Sequence, residues 1–157
     1  MTIVVEEADF DNPADCGALI EIIDSYARGP GGQNAPLSEE AKANMCRGLA
    51  AQANMTVLLA SLSGRKVGAA VCIWAFSTFA GKLMFNIHDL AVLPELRGQG
   101  VGRALMSDVE RRARDADCCK VSLEVFDSNE GAKRLYVSQG FGSLETPIIF
   151  LSKKLEY

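Results

Sequence analysis

A glycine-rich turn between a strand and a helix is the feature that most constrains this chain. Residues 97–103 read RGQGVGR; they follow an apolar, β-rich stretch and precede a segment with helical periodicity. The first backbone amides of a helix have no acceptor within the helix and carry a partial positive charge. The turn therefore predicts a helix N-terminus that faces an anion such as a phosphate. Glycines also occur in such turns for geometric reasons alone, and these residues by themselves leave that alternative open.

Two better-known phosphate-binding motifs do not match this turn. A P-loop has Lys and then Ser or Thr after its last glycine, whereas Arg103 and Ala104 follow Gly102 here. A dinucleotide-binding fingerprint needs a further glycine at position 103 and follows the first strand of its sheet, whereas this turn follows the fourth predicted strand. The turn therefore indicates an anion site of another kind.

The hydrophobic pattern predicts the element order βα αβββ αβαβ. Strands are expected over residues 2–6, 57–63, 67–79, 82–93, 120–126 and 148–155, and helices over 11–26, from Ser38 towards 53, from Gly100 onward and over 129–139. The Gly-, Pro- and Asn-rich residues 27–37 predict a flexible loop. This order predicts one α/β (α+β) domain over residues 1–157. Its mixed, mostly antiparallel sheet would have a parallel pair within residues 82–126, flanked by about four helices.

Composition argues against several classes of protein. Sixteen Lys and Arg against 20 Asp and Glu give the 157 residues a net charge of −4, which is the wrong sign for a general nucleic-acid binder. The longest apolar stretch, between Lys66 and Lys82, is too short to cross a bilayer, so we expect no membrane partner. The acidic start of the chain is unlike a secretory signal and predicts a cytoplasmic protein. Five cysteines without CxxC spacing and a single histidine predict no metal site.

Two motifs in the second half of the chain occur together at a defined separation. The first is Arg, two residues, Gly, one residue, Gly, at Arg97, Gly100 and Gly102. The second comprises Asn129, Ala132, Leu135, Tyr136, Gly140 and Phe141. Because both motifs are present at this separation, the chain resembles the GCN5-related N-acetyltransferase family. The resemblance implies that family's fold, in which the parallel pair of strands splays apart.

The resemblance also implies acetyl-CoA as the cosubstrate. Its pantetheine arm would pair with strand residues 90–92 by strand addition, and its pyrophosphate would reach the amides of the glycine-rich turn. The implied cofactor-binding residues are Leu90, Ala91, Val92, Arg97, Gly98, Gln99, Gly100, Val101, Gly102, Arg103 and Asn129.

The implied reaction is direct transfer of an acetyl group from the thioester to a primary amine of a small molecule or peptide. An alkylamine is mostly protonated at neutral pH, so a base must accept a proton, and the departing thiolate needs an acid. Tyr136 matches the family's thiol-protonating tyrosine. Glu124, 12 residues earlier, resembles the catalytic glutamate of the ribosomal-protein alanine acetyltransferases. His88 and Asp89 are rival candidates for the base.

The motifs do not identify the acceptor. In the family, the loop at residues 28–37 would wall the acceptor site, and both a monomer and a homodimer joined by sheet edges agree with the resemblance. A second class of function stays open, a non-catalytic acyl-CoA-binding sensor or interaction module. Release of thiol from acetyl-CoA in the presence of amines distinguishes the two.

Overall fold

A five-stranded sheet and four helices make up the fold in the computed structural model, which describes residues 2–142 and 146–155. The strands are β1 (Ile3–Glu7), β2 (Met55–Leu62), β3 (Arg65–Ser77), β4 (Lys82–Val92) and β5 (Val121–Leu123). The helices are α1 (Pro13–Ala27), α2 (Glu39–Ala50), α3 (Val101–Asp115) and α4 (Glu130–Ser138). None of the helices in the described ranges is long and apolar enough to cross a membrane.

The strands lie in the sheet in their order along the chain. The pairs β1–β2, β2–β3 and β3–β4 are antiparallel, whereas β4 and β5 run parallel and are joined through α3. This arrangement confirms the predicted mixed sheet with its parallel pair. The sheet also has an extra residue in β4, because Val71 of β3 pairs with Asp89 and the next residue, Cys72, pairs with Ile87. His88 is thus the additional residue of a β-bulge.

The core lies on both faces of the two central strands. Residues 56–60 of β2 and 67–72 of β3 are buried without interruption. Because successive side chains of a strand point to opposite faces, an unbroken buried run means that both faces are covered. Helices α1 and α3 pack against β3 and bury their apolar sides on the sheet, with Leu19 and Leu105 fully enclosed.

A buried carboxylate fixes the start of α1 on the sheet. Asp15 is 6% exposed and accepts a hydrogen bond from the backbone amide of Asp9 at 2.9 Å. Its other oxygen pairs with the Lys66 ammonium at 2.6 Å. A buried charge is tolerated when it is paired and hydrogen-bonded in this way. The ion pair between Asp15 and Lys66 joins α1 to β3 and so positions the helix on the sheet.

Two predicted strands differ from the observed ones. The strand expected over residues 120–126 covers only Val121–Leu123, because its pairing with β4 ends just before the bulge at His88. The strand expected over 148–155 was wrong. Residues 147–155 form no strand, and Ile148, Ile149, Phe150 and Leu151 are 76–83% exposed. Four consecutive apolar residues are typical of a buried strand, but a three-residue β5 offers such a strand a very short edge.

Close approach of α3 to β3 requires a glycine, and this gives a test of the packing. A Cβ at Gly68 would lie 2.7 Å from Val101 Cγ1 and 3.1 Å from Leu105 Cδ1. We expect Gly68→Ala to lower the free energy of unfolding by about 1–3 kcal/mol, measured by urea denaturation. The matched control is Gly48→Ala in α2, where a Cβ meets nothing within 4 Å. That change should stabilise by about 1 kcal/mol through helix propensity. Equal stability of the two variants would contradict the packing.

Candidate active site

Strands β4 and β5 part from one another, and the site begins where they part. They pair at only three positions, Phe85 with Val121, Asn86 with Ser122 and Ile87 with Leu123. Beyond the bulge, residues 90–92 pair with β3 alone. Their other edge faces a cavity of about 990 Å³. An unpaired strand edge offers backbone donors and acceptors to an extended ligand that carries amides.

The glycine-rich turn closes one end of this cavity. Gly98 and Gly100 have φ angles of +78° and +89°, a conformation that side-chain-bearing residues adopt with strain. Gly100 is the N-cap of α3 and no side chain caps the helix there, so the first amides of α3 keep their donors for a ligand. Gly102 packs closely on α4, since a Cβ there would lie 3.1 Å from Leu135 Cδ2.

The structure brings most of the predicted cofactor-binding residues to the cavity. Ten of the eleven line it: Leu90, Ala91, Val92, Arg97, Gly98, Gly100, Val101, Gly102, Arg103 and Asn129. Gln99 is exposed and is not part of the lining. The Val101 side chain is buried in the core, which leaves its backbone for any contact with a ligand. Arg97 Nε donates to the carbonyl of Val92 at 3.2 Å, so this guanidinium is tied to the open end of β4.

Asn129 caps α4 in addition to lining the cavity. Its Oδ1 accepts from the amide of Ala132 at 3.2 Å and caps α4. Its Nδ2 faces the α1–α2 loop, where a Cβ on Gly31 would lie 3.3 Å away. The side chain therefore lies beside that loop, with little space left at Gly31.

Tyr136 lies on α4 with a half-buried side chain that lines the cavity. Its ring packs against Phe141 with the centroids 6.1 Å apart. Burial raises the pKa of Tyr136 above its usual range, and the neighbouring Tyr26 adds to that shift. The hydroxyl therefore keeps its proton at neutral pH and can act as a donor.

The three candidate bases lie in different surroundings. Glu124 is exposed just after β5, outside the lining, and accepts a hydrogen bond from Asn86 Nδ2 at 3.3 Å. His88 is exposed at the bulge. Asp89 is half-buried, and burial raises the pKa of its carboxyl while the charge of His88 partly opposes the shift. Burial raises the pKa of Tyr26, and the charge of Asp89 adds to that shift.

Sequence reasoning missed Tyr26 as a site residue. It lies near the end of α1, lines the cavity, and donates from its hydroxyl to the carbonyl of Gly31 at 2.8 Å. Gly29, Pro30 and Gly31 line the cavity too. In the sequence, Tyr26 is only the last apolar residue of a helical pattern, so no local signal marks it. The adjoining run of glycines was the one available hint of close packing.

The raised pKa of Asp89 predicts a stabilising variant. When folding raises the pKa of a carboxyl, the folded state binds the proton more tightly than the unfolded state. The free energy of unfolding therefore falls as the pH rises from the ordinary carboxyl pKa through the raised one. We expect Asp89→Asn to raise the melting temperature at pH 7, and the gain to vanish below the ordinary carboxyl pKa. Asp11→Asn, at an exposed position, removes the same charge and is the control, and the gain in Asp89→Asn should exceed its effect at pH 7. A melting temperature of Asp89→Asn below that of the parent protein at pH 7 would contradict the conclusion that burial disfavours the charged form of Asp89.

Comparison with known proteins identifies the class. The acetyltransferase (GNAT) family model matches residues 19–141, and the chain belongs to this family. An uncharacterized N-acetyltransferase of Archaeoglobus fulgidus is 39% identical over 85 residues, covering 53% of this chain and 57% of that protein. A thialysine N-epsilon-acetyltransferase of Bos taurus is 35% identical over 74 residues, covering 47% and 43%. The chain thus spans about half the length of the curated relatives it matches.

Solved structures agree on the fold. The ribosomal-protein-alanine N-acetyltransferase of Brucella melitensis superposes with a TM-score of 0.76 at 16% identity, covering 97% of this chain and all of that one. At this identity the likeness speaks for the fold alone. The solved structure thus agrees with the fold, and membership of the family rests on the match of its model to residues 19–141.

Proposed function

We propose that this enzyme transfers an acetyl group from acetyl-CoA directly to a primary amine of a small molecule or peptide. The observation that carries the proposal is the cavity beside the unpaired edge of β4, which α4 bounds on the other side. It combines an unpaired strand edge at 90–92 with the uncapped N-terminus of α3. An extended arm that carries amides fits the strand edge, and a pyrophosphate fits the helix terminus. These are the two parts of CoA that need recognition.

Charge supports the same orientation of the cosubstrate. Arg97 and Arg103 both line the cavity beside the glycine-rich turn. Both are exposed, so they keep their hydration and act mainly by attraction to the phosphates. The partial positive charge at the start of α3 adds to this attraction. The thioester end then lies along β4 towards Tyr136.

The chemistry needs one proton acceptor and one proton donor. The amine nitrogen, freed of its proton by the base, forms a bond to the thioester carbonyl carbon. The bond between that carbon and sulfur breaks, and the departing thiolate takes a proton from Tyr136. The nitrogen gives up a second proton as the amide forms, and a proton taken up through solvent restores the Tyr136 hydroxyl. Glu124 is the base in this proposal, acting from the mouth of the site, with Asp89 and His88 as its rivals. The acetylated amine and CoA leave as products.

The names of the relatives support an amine acceptor without selecting one. One is a thialysine N-epsilon-acetyltransferase, and another, from Trypanosoma brucei brucei, is a glucosamine 6-phosphate N-acetyltransferase that is 37% identical over 84 residues. The shared feature is transfer to nitrogen. The acceptor therefore has to be found by screening primary amines.

Binding of acetyl-CoA is the first test. At 100 times its dissociation constant, the ligand should stabilise the protein by about 2.7 kcal/mol, which raises the melting temperature by roughly 5–10 °C. Gly100→Glu should lose this shift, because it places a carboxylate at the helix N-terminus proposed for the pyrophosphate. Gly64→Glu is the matched control: its φ of +82° imposes similar backbone strain, but it lies in the β2–β3 turn. No shift in the parent protein at saturating acetyl-CoA would refute the proposal.

The base and the acid can be assigned from pH profiles of kcat/KM with the best amine of a panel. Tyr136→Phe should lower turnover by about 10²-fold or more, as expected for loss of a general acid. If Glu124 is the base, Glu124→Gln loses activity on a similar scale, whereas Asp89→Asn and His88→Ala keep it. An unchanged Glu124→Gln variant would remove Glu124 from the mechanism. Parent protein that binds acetyl-CoA but releases no thiol with any amine would favour the sensor alternative.

A further inference from the structure

The side-chain amide of Asn86 lies where β4 and β5 part. In the parallel ladder Asn86 pairs with Ser122, one position before the last pair of the two strands. Its Nδ2 lies 3.1 Å from Ser122 Oγ and 3.3 Å from the carbonyl oxygen of Ser122. This half-buried amide therefore links β4 to β5 beside the open end of the ladder.

The same nitrogen also contacts Glu124. Asn86 Nδ2 donates to Glu124 Oε1 at 3.3 Å. Glu124 follows the last residue of β5, so its backbone lies outside the ladder, and the residue is exposed. Within the residues that the structure describes, this amide is the one hydrogen-bond donor to the carboxylate. The orientation of the Glu124 side chain therefore depends on Asn86.

A neutral amide is well suited to orient a base. A free glutamate side chain samples several rotamers, whereas a general base has to keep an oxygen within hydrogen-bond reach of the proton that it accepts. The contact of Asn86 is to Oε1, which leaves the second carboxylate oxygen available for that proton. A Lys or Arg in the same place would add a full positive charge, which favours the ionised carboxylate and makes it a weaker base.

We propose that Asn86 is a positioning residue, which orients Glu124 as the base of the reaction. The inference rests on the proposed function and adds to it a residue that lies outside the cavity lining. Asn86 belongs to the same strand as residues 90–92, the edge proposed for the cosubstrate. The hydrogen bond thus holds the base to the strand that holds the thioester. Asn86 acts through Glu124 and does not itself exchange a proton.

A double-mutant cycle tests the inference, with thiol release from acetyl-CoA and the best amine of a panel as the assay. We expect Asn86→Ala to lower kcat by about tenfold, because a misplaced base slows the reaction, while the KM for acetyl-CoA stays unchanged. In the Glu124→Gln background the same change should have no further effect, because Asn86 acts only through the carboxylate.

Ser122→Ala is the matched control for the link between the strands. It removes the 3.1 Å contact of the Asn86 amide with Ser122 Oγ but leaves the contact with Glu124, so kcat should stay unchanged. Asn86→Leu, which keeps the volume of the side chain without its donor, replaces Asn86→Ala if the latter does not fold.

The outcomes separate this inference from the proposed function. Equal losses of kcat from Asn86→Ala in the two backgrounds, or no loss in the parent background, would overturn the inference and leave acetyl transfer in place. Full activity of Glu124→Gln would have the same meaning, because Glu124 would then not be the base. If no amine releases thiol from acetyl-CoA, the proposed function fails, and the inference fails with it.

Discussion

Parallel pairing between β4 and β5 stops after three residues, and the site depends on this. The extra residue His88 interrupts the ladder just past the last pair, Ile87 with Leu123, so that residues 90–92 keep one edge without a partner. Unpaired backbone groups away from water are costly, so such an edge is stable only if solvent or a ligand reaches it. The cavity of about 990 Å³ provides that access. The same parting of strands makes room for the side chains of α4, including Tyr136.

Close packing and hydrogen bonds hold the elements around the cavity in place. Gly68 lets α3 lie against β3, which fixes the position of the helix N-terminus relative to the open edge of β4. Arg97 is hydrogen-bonded to the carbonyl of Val92, so the turn is joined to the same edge. At the end of α1 the Tyr26 hydroxyl donates to the Gly31 carbonyl, so the loop is held against this helix. A site built from packed backbone of this kind is preorganised, which lowers the entropic cost of binding a long, flexible cosubstrate.

Local sequence signals predicted the parts of the site that are contiguous in the chain. The glycine-rich turn and the starts of α3 and α4 were predicted, because a turn and a helix start are specified by neighbouring residues. The cap that Asn129 forms on α4 was not among the predictions. Contacts between segments that are distant in the chain were not predicted. Nothing in the sequence shows that the Tyr26 hydroxyl donates to the Gly31 carbonyl, or that β5 ends at Leu123, because both follow from packing. The apolar run at 148–151 predicted a strand by propensity, but these residues pair with no strand and are exposed.

The central proposal is that the cavity beside the unpaired edge of β4 holds acetyl-CoA by backbone contacts at two places. A titration of ¹⁵N-labelled protein with acetyl-CoA, followed by amide chemical shifts, tests it directly. The account predicts that the amides of residues 90–92 and of 98–103 shift together, with one dissociation constant, while those of α2 stay unchanged. Binding that saturates while both groups of amides keep their positions would contradict it.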